Sequence, residues 1–583
     1  MTNALALAIA GTSKSWMAPF VCPPGVGENC KERVPRRAGG QRIADAGNVT
    51  KGDSHGSQDG PHEQNTGGCP PSNDCRQCFG IARDPFAIPA TPFLRSFAAR
   101  RQIPARRMDH YRQLGYNRAM DARPNKRDSL RSHALTLFLI VVYGATAHAA
   151  EKPNIVVIFV DDLGYGDLGC YGSPTIRTPH LDRMASEGLR FTDFYSAAEV
   201  CTPSRAALLT GRYPIRNGMC GHRRVLFPNS KGGLPAHEVT IAEALLEQGY
   251  ATAHIGKWHL GIHEGSRPLD QGFEQSFGLP YSNDMDARAD LPQGASGSPT
   301  PPENGWNVPL LRNGTITERP ANQTTLTKRY TEEAVKFIAE KKNSPFFLYF
   351  AHTFPHVPLF ASSEFKGKSR AGIYGDAIEE LDWSVGQVLE TLRREGLAER
   401  TLVFFTSDNG PWLIMGNQGG SAGLLRDGKG STWEGGMREP GIAWWPGHIK
   451  PGVTSEIAST MDLFSTALVL GGATFPKDVT IDGRDLSPLL LAGRPPATTP
   501  FFYYRGDKLA ACRIGPWKAH FFTQTGYGQP QPEPHDPPLL FHLGLDPSEK
   551  RNVAAAHADV ISRIQAAVKA HQAGVVPVEP QLQ

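Results

Sequence analysis

The sequence predicts an α/β fold in which helices cover both faces of a sheet, and two observations support this. From residue 153 onward, short apolar runs alternate with segments that have the period of amphipathic helices. The run "NIVVIFV" at 154–160 is almost continuously apolar and the others are similar, which is typical of strands buried on both faces. With 40% hydrophobic and 20% charged residues, the composition is that of an ordinary globular protein.

Four apolar runs are predicted as strands, at 154–160, 250–255, 345–351 and 401–406. A helix is predicted at 376–395, between the third and fourth strands. Its apolar residues keep a spacing of three and four, so they share one face, and they are Ile378, Leu381, Val385, Val388 and Leu392. We interpret this stripe as packing against the core.

Polar side chains follow each predicted strand. The first strand is followed by Asp161 and Asp162, the second by Lys257 and His259, the third by His352 and His356, and the fourth by Asp408 and Asn409. Ligand sites in open α/β sheets gather beyond the carboxyl ends of the strands. Any one of these residues could be a solvated loop residue, but four strand ends with related chemistry predict a shared site.

The residue types indicate the chemistry of that site. Asp161, Asp162, Asp408 and Asn409 offer only oxygen, which suits a hard cation such as Ca²⁺ or Mg²⁺ better than zinc. Arg205, Lys257 and Lys429 supply positive charge for a tetrahedral oxyanion. Histidines can transfer protons near neutral pH. Together these residues predict hydrolysis of an anionic ester.

The segment "EVCTPSRAALLTGR" at 199–212 predicts a helix with Cys201 at its start. Thr202 suits the N-cap, Pro203 the first helical position, and Gly211 the end. A helix N-terminus favours an anion, and Arg205 would project toward the same place. Two interpretations of Cys201 are open from this segment alone, a reactive group beside an anion site and a buried small hydrophobe.

The first 149 residues differ from the rest in charge and pattern. They hold 20 Lys and Arg against 11 Asp and Glu, whereas the remainder holds 41 against 46. The remainder therefore has no basic footprint for nucleic acid. Residues 21–80 lack any sustained apolar period and are predicted to be disordered. A cluster of three cysteines among them, Cys69, Cys75 and Cys78, does not match the usual zinc spacings.

Residues 120–149 have the three parts of a secretory signal peptide. A basic region is followed by the short apolar run "ALTLFLIVVYGA" and by small residues suited to cleavage after Ala149. The apolar run is too short for a bilayer span, so a membrane anchor is disfavoured. A signal peptide does not ordinarily follow 119 residues of disordered chain, so either Met120 or Met108 is the true start or 1–119 is a real extension. We expect 1–119 to be dispensable.

The exported chain would keep only Cys170, Cys201, Cys220 and Cys512, too few for a disulfide scaffold.

The motif around Cys201 resembles the C-x-P-S-R signature of the type I, formylglycine-dependent sulfatases, in which that cysteine is oxidised to formylglycine. The resemblance continues through "VDDLGYGDLGCYG", "GKWHLG", "GLPYSNDMD", "SDNGP" and "GKGSTWEGGMREPGIAWWPGHI". It covers essentially all of residues 153–550 and is nearest to the arylsulfatase branch, with the galactosamine-6-sulfatases next.

The resemblance implies a role for each matching residue. One divalent cation, Ca²⁺ before Mg²⁺, would be bound beside the modified Cys201 by Asp161, Asp162, Asp408 and Asn409. Arg205 and Lys257 would hold the aldehyde hydrate, and Lys257, Lys429 and Ser282 would hold sulfate oxygens. His356 would protonate the leaving group, and His259 would remove a proton so that sulfate leaves and the aldehyde returns. His352 receives no role.

The family fold implies an alkaline-phosphatase-like large mixed sheet flanked by helices in 150–490 and a smaller antiparallel-sheet subdomain in 491–583. Strands are expected within 501–523 and a terminal helix at 555–571, with 538–552 linking them. Asp427 departs from the family pattern, since an arylsulfatase cysteine stands there, and most family disulfide cysteines have no counterpart.

The sequence therefore predicts an exported sulfuric ester hydrolase, periplasmic or secreted, or lysosomal in an animal host. Its expected partners are a sulfated small molecule or glycan and a formylglycine-generating enzyme, with no nucleic acid and no stable membrane anchor. Two other functions are weighed, a phosphoester or phosphonate hydrolase of the same superfamily and a catalytically silent glycan-binding relative. The complete set of Cys201, Lys257 and Lys429 favours the sulfatase.

Overall fold

The computed structural model describes residues 152–287, 305–576 and 578–583. The proposed extension at 1–119, the signal peptide at 120–149 and the three cysteines near residue 75 lie outside these residues.

An 11-stranded mixed sheet forms the centre of the larger part. Its strands are β1 (Asn154–Val160), β2 (Leu189–Tyr195), β3 (Ala251–Lys257), β4 (Gln275–Leu279), β5 (Leu310–Arg312), β6 (Thr315–Glu318), β7 (Phe346–Ala351), β8 (Thr401–Ser407), β9 (Arg438–Trp444), β10 (Gly452–Thr454) and β11 (Ala458–Ser459). The order across the sheet is β10-β2-β9-β8-β1-β7-β3-β4-β5-β6, and β11 pairs with β2.

The four predicted strands lie side by side at the centre of this sheet. β1 pairs in parallel with both β7 and β8, and β3 pairs in parallel with β7, so all four carboxyl ends lie at one edge. Alternate residues of β1 enter different cores, with Val156 and Ile158 on one face and Val157 and Phe159 on the other. This two-sided burial explains why the run is apolar throughout.

Helices cover both faces of the sheet. They are α1 (Pro179–Glu187), α2 (Cys201–Thr210), α3 (Pro214–Asn217), α4 (Ile241–Leu246), α5 (Leu326–Glu340), α6 (Gly372–Arg394), α7 (Glu434–Met437), α8 (Thr460–Gly471) and α9 (Ser487–Ala492). Every residue of the predicted stripe on α6 is buried in one core. None of the helices in the described part has the length and apolar character of a membrane span.

The second sheet is antiparallel and contains β12 (Phe501–Arg505), β13 (Lys508–Ile514), β14 (Trp517–Thr523) and β15 (Glu533–His542), followed by α10 (Ala558–Ala573). Three strands and the helix agree with the expectation from sequence. The expectation that 538–552 only links them is wrong, because Glu533–His542 pairs with β14 as the fourth strand. This strand lies at the sheet edge, where its prolines remove no ladder hydrogen bond.

A buried charge network joins the two sheets. Glu434, at the start of α7, accepts a hydrogen bond from Lys518 Nζ on β14 at 2.9 Å. The same ammonium lies 3.1 Å from Glu549, which also contacts His520 at 2.7 Å. Tyr195 on β2 donates its hydroxyl to Glu434 at 2.7 Å. The small sheet is therefore bound to the large one through paired charges with no access to water.

The described cysteines form no disulfide. Cys170, Cys201, Cys220 and Cys512 are all free thiols in the structure. Cohesion of the described part therefore comes from its cores and polar networks, as the low cysteine count predicts.

Candidate active site

The predicted site residues lie together where β1, β3, β7 and β8 end. Asp161 and Asp162 follow β1, Lys257 ends β3, and Asp408 and Asn409 follow β8. All five side chains are buried. Because the four strands are parallel neighbours, the loops that leave them meet above one edge of the sheet.

The acidic residues form a compact group of oxygen atoms. The amide of Asn409 donates to Asp162 Oδ1 at 2.7 Å, and the Asp162 backbone N–H lies 3.3 Å from Asp408 Oδ1. Burial, with the neighbouring Asp161 carboxylate, raises the pKa of Asp408 to about 7. So close a set of buried carboxylates is costly unless positive charge lies beside it.

The donor atoms fit a hard cation. Asp161 Oδ1 and Asn409 Oδ1 are buried and have no hydrogen-bond partner among the described residues, which leaves both oxygens available as ligands. One ligand atom each from Asp161, Cys201 and Asp408 lies within 4.8 Å of the others, and Asp161, Asp162 and His356 form a second such group. Carboxylate and amide oxygens are the ligands that Ca²⁺ and Mg²⁺ prefer.

Three cationic side chains balance the three carboxylates. Arg205 Nη2 lies 2.7 Å from Asp408 and 3.3 Å from Asp161, and Lys257 Nζ bonds Asp161. Lys429 Nζ donates to Asp162 at 2.8 Å. Burial opposes the charged form of Lys429, but the Asp162 carboxylate outweighs it and raises the pKa of Lys429. A divalent cation added to this balanced set would give a net positive site, suited to an oxyanion.

Cys201 is the first residue of α2, and Val200 is the N-cap. The predicted N-cap, Thr202, is wrong by two positions. Its hydroxyl instead donates to the carbonyl of His259 at 3.1 Å and accepts from the N–H of Leu226 at 3.2 Å, so long-range contacts override its capping preference. Gly211 ends the helix with a φ of 68°, as predicted.

The thiol of Cys201 is shielded from water. Burial raises the pKa of Cys201 to about 11, even though Lys257 and Lys429 lie near enough to oppose that effect. The unmodified side chain is therefore a neutral thiol near pH 7 and a weak nucleophile.

The two histidines with predicted roles have fixed tautomers. His259 Nε2 lies 2.8 Å from the carbonyl of Leu226, so this nitrogen carries the proton, and the buried Nδ1 has no partner among the described residues. His356 Nδ1 donates to the carbonyl of Val357. Its Nε2 lies 3.4 Å from Ser282 Oγ and 3.6 Å from Asp162. Burial lowers the pKa of both rings well below the usual value.

Ser282 and His352 have different surroundings. Ser282 accepts from Lys257 Nζ at 3.1 Å and lies beside His356, so it belongs to the group. His352 lies 3.4 Å from Ser384 Oγ and packs against Phe350 with ring centres 4.2 Å apart. His352 is therefore a core side chain, in accordance with the absence of a predicted role.

Two aromatic residues beside the group were not predicted. Trp412 has its ring centre 5.4 Å from that of His356, and Lys429 Nζ lies 4.4 Å from the centre of the indole ring. Tyr527, from the loop between β14 and β15, lies 5.5 Å from Trp412. Trp412 follows "SDNGP" directly, so its position next to a motif was an available signal. Tyr527 is remote in sequence from the other site residues, and no sequence signal pointed to it.

Comparison with known proteins identifies the family of this chain. The family model named Sulfatase matches residues 153–473, and the model for the C-terminal region of aryl-sulfatase matches 496–583. Arylsulfatase A of Homo sapiens is 45% identical over 458 residues, which are 74% of this chain and 89% of that protein. N-acetylgalactosamine-6-sulfatase of Homo sapiens is 43% identical over 478 residues, 74% of this chain and 88% of its own.

A solved structure gives the same result at the level of the fold. The PsFucS1 sulfatase from Pseudoalteromonas sp. superposes with a TM-score of 0.64 and 31% sequence identity, covering 77% of this chain and 94% of that one. The match to the sulfatase family model spans more than half of the chain, and two curated sulfatases align with about three quarters of it. The chain belongs to the sulfatase family, and the protein is a sulfatase enzyme.

Proposed function

We propose that this sulfatase hydrolyses sulfate esters of ring-bearing alcohols through a formylglycine made from Cys201, in a site completed by one divalent cation. The observation that carries the proposal is the position of Cys201 at the start of a buried helix, beside three cationic and three acidic side chains. Aryl sulfates and sulfated sugars are the expected substrates, since relatives named arylsulfatase and N-acetylgalactosamine-6-sulfatase are similar over most of the chain.

The state of Cys201 supports a modified residue. A thiol with a pKa of about 11 supplies almost no thiolate near pH 7. A hydrated aldehyde at this position supplies one hydroxyl to attack sulfur and a second to release sulfate, which divides a difficult displacement into two easier steps. All ten residues of α2 are buried, so the modifying enzyme is expected to act before the chain folds.

The expected cation ligands are Asp161, Asp162, Asp408 and Asn409, with the modified residue 201 beside them. A divalent cation, most suitably Ca²⁺, supplies positive charge that favours ionisation of the attacking hydroxyl and binding of the sulfate group. The two unpartnered oxygens, on Asp161 and Asn409, support this ligand set.

The cationic side chains bind and orient the ester. Lys257, Lys429 and Ser282 are the proposed ligands of the sulfate oxygens. Lys257 donates to Ser282, and Asp162 is the one acidic partner of Lys429 among the described residues, which supports this role. Arg205, fixed by Asp408 and the carbonyl of Lys257, orients the hydroxyl groups of residue 201. Charge-assisted hydrogen bonds of this kind are the strong ones.

The histidine tautomers assign the proton transfers. His259 Nε2–H is held by Leu226, so Nδ1 is the atom that accepts a proton when sulfate leaves residue 201. His356 keeps one proton on Nδ1 for Val357. The negative charge of a bound ester favours a second proton on Nε2, and that proton passes to the leaving oxygen.

Two measurements on Cys201 test the proposal. Mass spectrometry of the peptide containing residue 201, purified from the native host, should find formylglycine, and Cys201→Ala should abolish turnover of 4-nitrophenyl sulfate. Cys512→Ala is the matched control, since Cys512 is also a buried free thiol but lies on β13. Full activity with an unmodified cysteine would refute the mechanism. Faster turnover of a phosphate monoester or phosphonate than of any sulfate ester would assign the chain to the rival reaction.

Metal analysis tests the ligand set. The active enzyme should contain one equivalent of Ca²⁺ or Mg²⁺, and Asp408→Ala should lose it. Asp485→Ala is a suitable control, because this carboxylate lies just before α9 and accepts the N–H of Ser487 at 2.8 Å. Stoichiometric zinc, or unchanged metal content in Asp408→Ala, would contradict the assignment.

A further inference from the structure

Trp412 lies beside two of the buried anion-binding residues and next to an exposed stretch of its own loop. Lys429 and His356 are 5% and 3% exposed, so little of either side chain reaches water. Trp412 is half-buried against both of them, and the residues after it are exposed, Leu413 at 39% and Ile414 at 60%. The indole therefore lies between the buried polar group and the surface.

The indole has one unused polar atom. Its Nε1–H is buried and has no acceptor among the described residues. An unpaired buried donor costs free energy that a bound acceptor would recover. The ring is meanwhile fixed by Lys429 Nζ, 4.4 Å from its centre, and by Tyr527, 5.5 Å away. Trp412 is therefore held in place with a donor left for a ligand.

Tyr527 is held equally firmly by a different part of the chain. The N–H of Gly526 donates to Asp427 Oδ2 at 3.1 Å, and the Gly526 carbonyl accepts from Arg224 at 3.3 Å. Arg224 also lies over the Tyr527 ring, 5.7 Å from its centre. The loop between β14 and β15 thus brings an aromatic ring from the small sheet to the edge of the large one.

We propose that Trp412 and Tyr527 form the contact surface for the leaving group of the substrate, and that this surface determines which leaving groups the enzyme accepts. This inference rests on the proposed function, in which His356 protonates the leaving oxygen. The group attached to that oxygen must lie close to His356, and the ring of Trp412 lies beside His356 with centres 5.4 Å apart. Aromatic faces favour contact with the flat or apolar face of another ring. The unpaired indole N–H can donate a hydrogen bond to an oxygen atom of the leaving group.

Substitution of Trp412 should separate leaving-group binding from sulfate binding. In Trp412→Leu, kcat/KM for phenyl sulfate and for a sulfated monosaccharide should fall about threefold to tenfold, mainly through KM. Inhibition by inorganic sulfate, which has no leaving group, should stay within about twofold of wild type. Trp412→Phe keeps an aromatic ring but loses the N–H. Its kcat/KM for phenyl sulfate should therefore be closer to the wild-type value than its kcat/KM for the sulfated monosaccharide. Tyr527→Leu should resemble Trp412→Leu with a smaller effect.

Trp383→Leu is the matched control. Trp383 is also a half-buried tryptophan, but it lies on α6 and packs against Phe365 with ring centres 6.0 Å apart. It should change none of these constants.

Two contrary results have different meanings. If the wild-type enzyme turns over sulfate esters and Trp412→Leu has the same kcat/KM as wild type for both substrates, the proposed leaving-group surface is wrong. If Trp412→Leu weakens the binding of inorganic sulfate as much as the binding of the ring-bearing esters, Trp412 only positions Lys429 and His356. The proposal is then also wrong. If wild type turns over no sulfate ester, the proposed function itself fails.

Discussion

The two ring nitrogens of His356 have different partners, and this difference predicts a substrate-selective variant. Nδ1 is committed to Val357, so only Nε2 can deliver a proton to a leaving oxygen. A sugar alkoxide needs that proton, whereas a nitrophenolate leaves readily without it. His356→Ala should lose roughly a hundredfold to ten-thousandfold in kcat on a sulfated sugar, and much less on 4-nitrophenyl sulfate.

His352→Ala is the control for this experiment, because His352 follows the same strand but contacts Ser384 and Phe350. It should lower thermal stability with little selectivity between substrates. Equal losses of kcat on both substrates in His356→Ala would mean that His356 binds the sulfate and donates no proton.

For individual residues, the sequence indicates which side chains lie together at the site, because most of them follow a recognisable apolar run. It does not indicate tautomers. The proton on His259 is fixed by the carbonyl of Leu226, and no local pattern relates these two positions. Trp412 and Tyr527 escape notice for a similar reason, since their meeting depends on how the second sheet packs against the first.

Among the elements, α1 and α6 are joined by a buried carboxylate whose titration should be measurable. Asp382 on α6 accepts the backbone N–H groups of His180 and Leu181, at 3.2 and 2.8 Å, in the first turn of α1. Burial raises the pKa of Asp382 to about 7. Between about pH 4, the ordinary carboxyl value, and pH 7, the folded state therefore binds more protons than the unfolded state, and stability falls as pH rises.

Asp382→Asn removes this titration and should reduce the change in unfolding free energy between pH 4 and pH 7 by about 3 kcal/mol. Urea unfolding of both proteins at pH 4.5 and pH 7 would measure it. Parallel losses of stability in wild type and variant would show that the carboxylate is not protonated in the folded state.

The predicted elements succeed where burial is two-sided and fail where tertiary contacts compete with local preference. The four central strands and α6 agree with their predicted positions to within a few residues. Thr202 fails as an N-cap because His259 and Leu226 use its hydroxyl. β15 was missed because Pro534, Pro537 and Pro538 argue against a strand, and only its edge position makes them tolerable.

For the molecule as a whole, Lys518 is the centre of the contact between the two sheets. Its ammonium lies between Glu434 and Glu549, and all three side chains are buried. Lys518→Met should destabilise the protein by about 3 kcal/mol, because two buried carboxylates lose the ammonium they share. Glu434 then keeps Arg438 at 3.3 Å, and Glu549 keeps His520 at 2.7 Å. Thermal and denaturant unfolding measure the loss.

Adding Glu434→Gln to Lys518→Met should recover part of that loss, since one of the two buried carboxylates that lost the lysine is then neutral. An exposed lysine such as Lys508 offers the control, and Lys508→Met should change stability by less than about 0.5 kcal/mol. If Lys518→Met is equally mild, the network is not important for joining the sheets.

The overall architecture was the most predictable level, because continuous apolar runs and their spacing define a sheet covered on both faces. The junction between the sheets was not predictable, since Glu434, Lys518 and Glu549 have no shared pattern in the sequence. Only their burial reveals them as one unit.

The contact between the two sheets also limits how sulfatases can evolve by recombination. Two separate family models recognise the regions 153–473 and 496–583, which suggests pieces that could be exchanged by recombination. A foreign C-terminal region lacking the equivalents of Lys518 and Glu549 would leave the buried Glu434 with Arg438 but without the ammonium of Lys518. It would also replace Tyr527 at the edge of the large sheet. The two regions should therefore be inherited as one unit, and chimeras of related sulfatases should fold only when both come from the same parent or the charged residues are exchanged together.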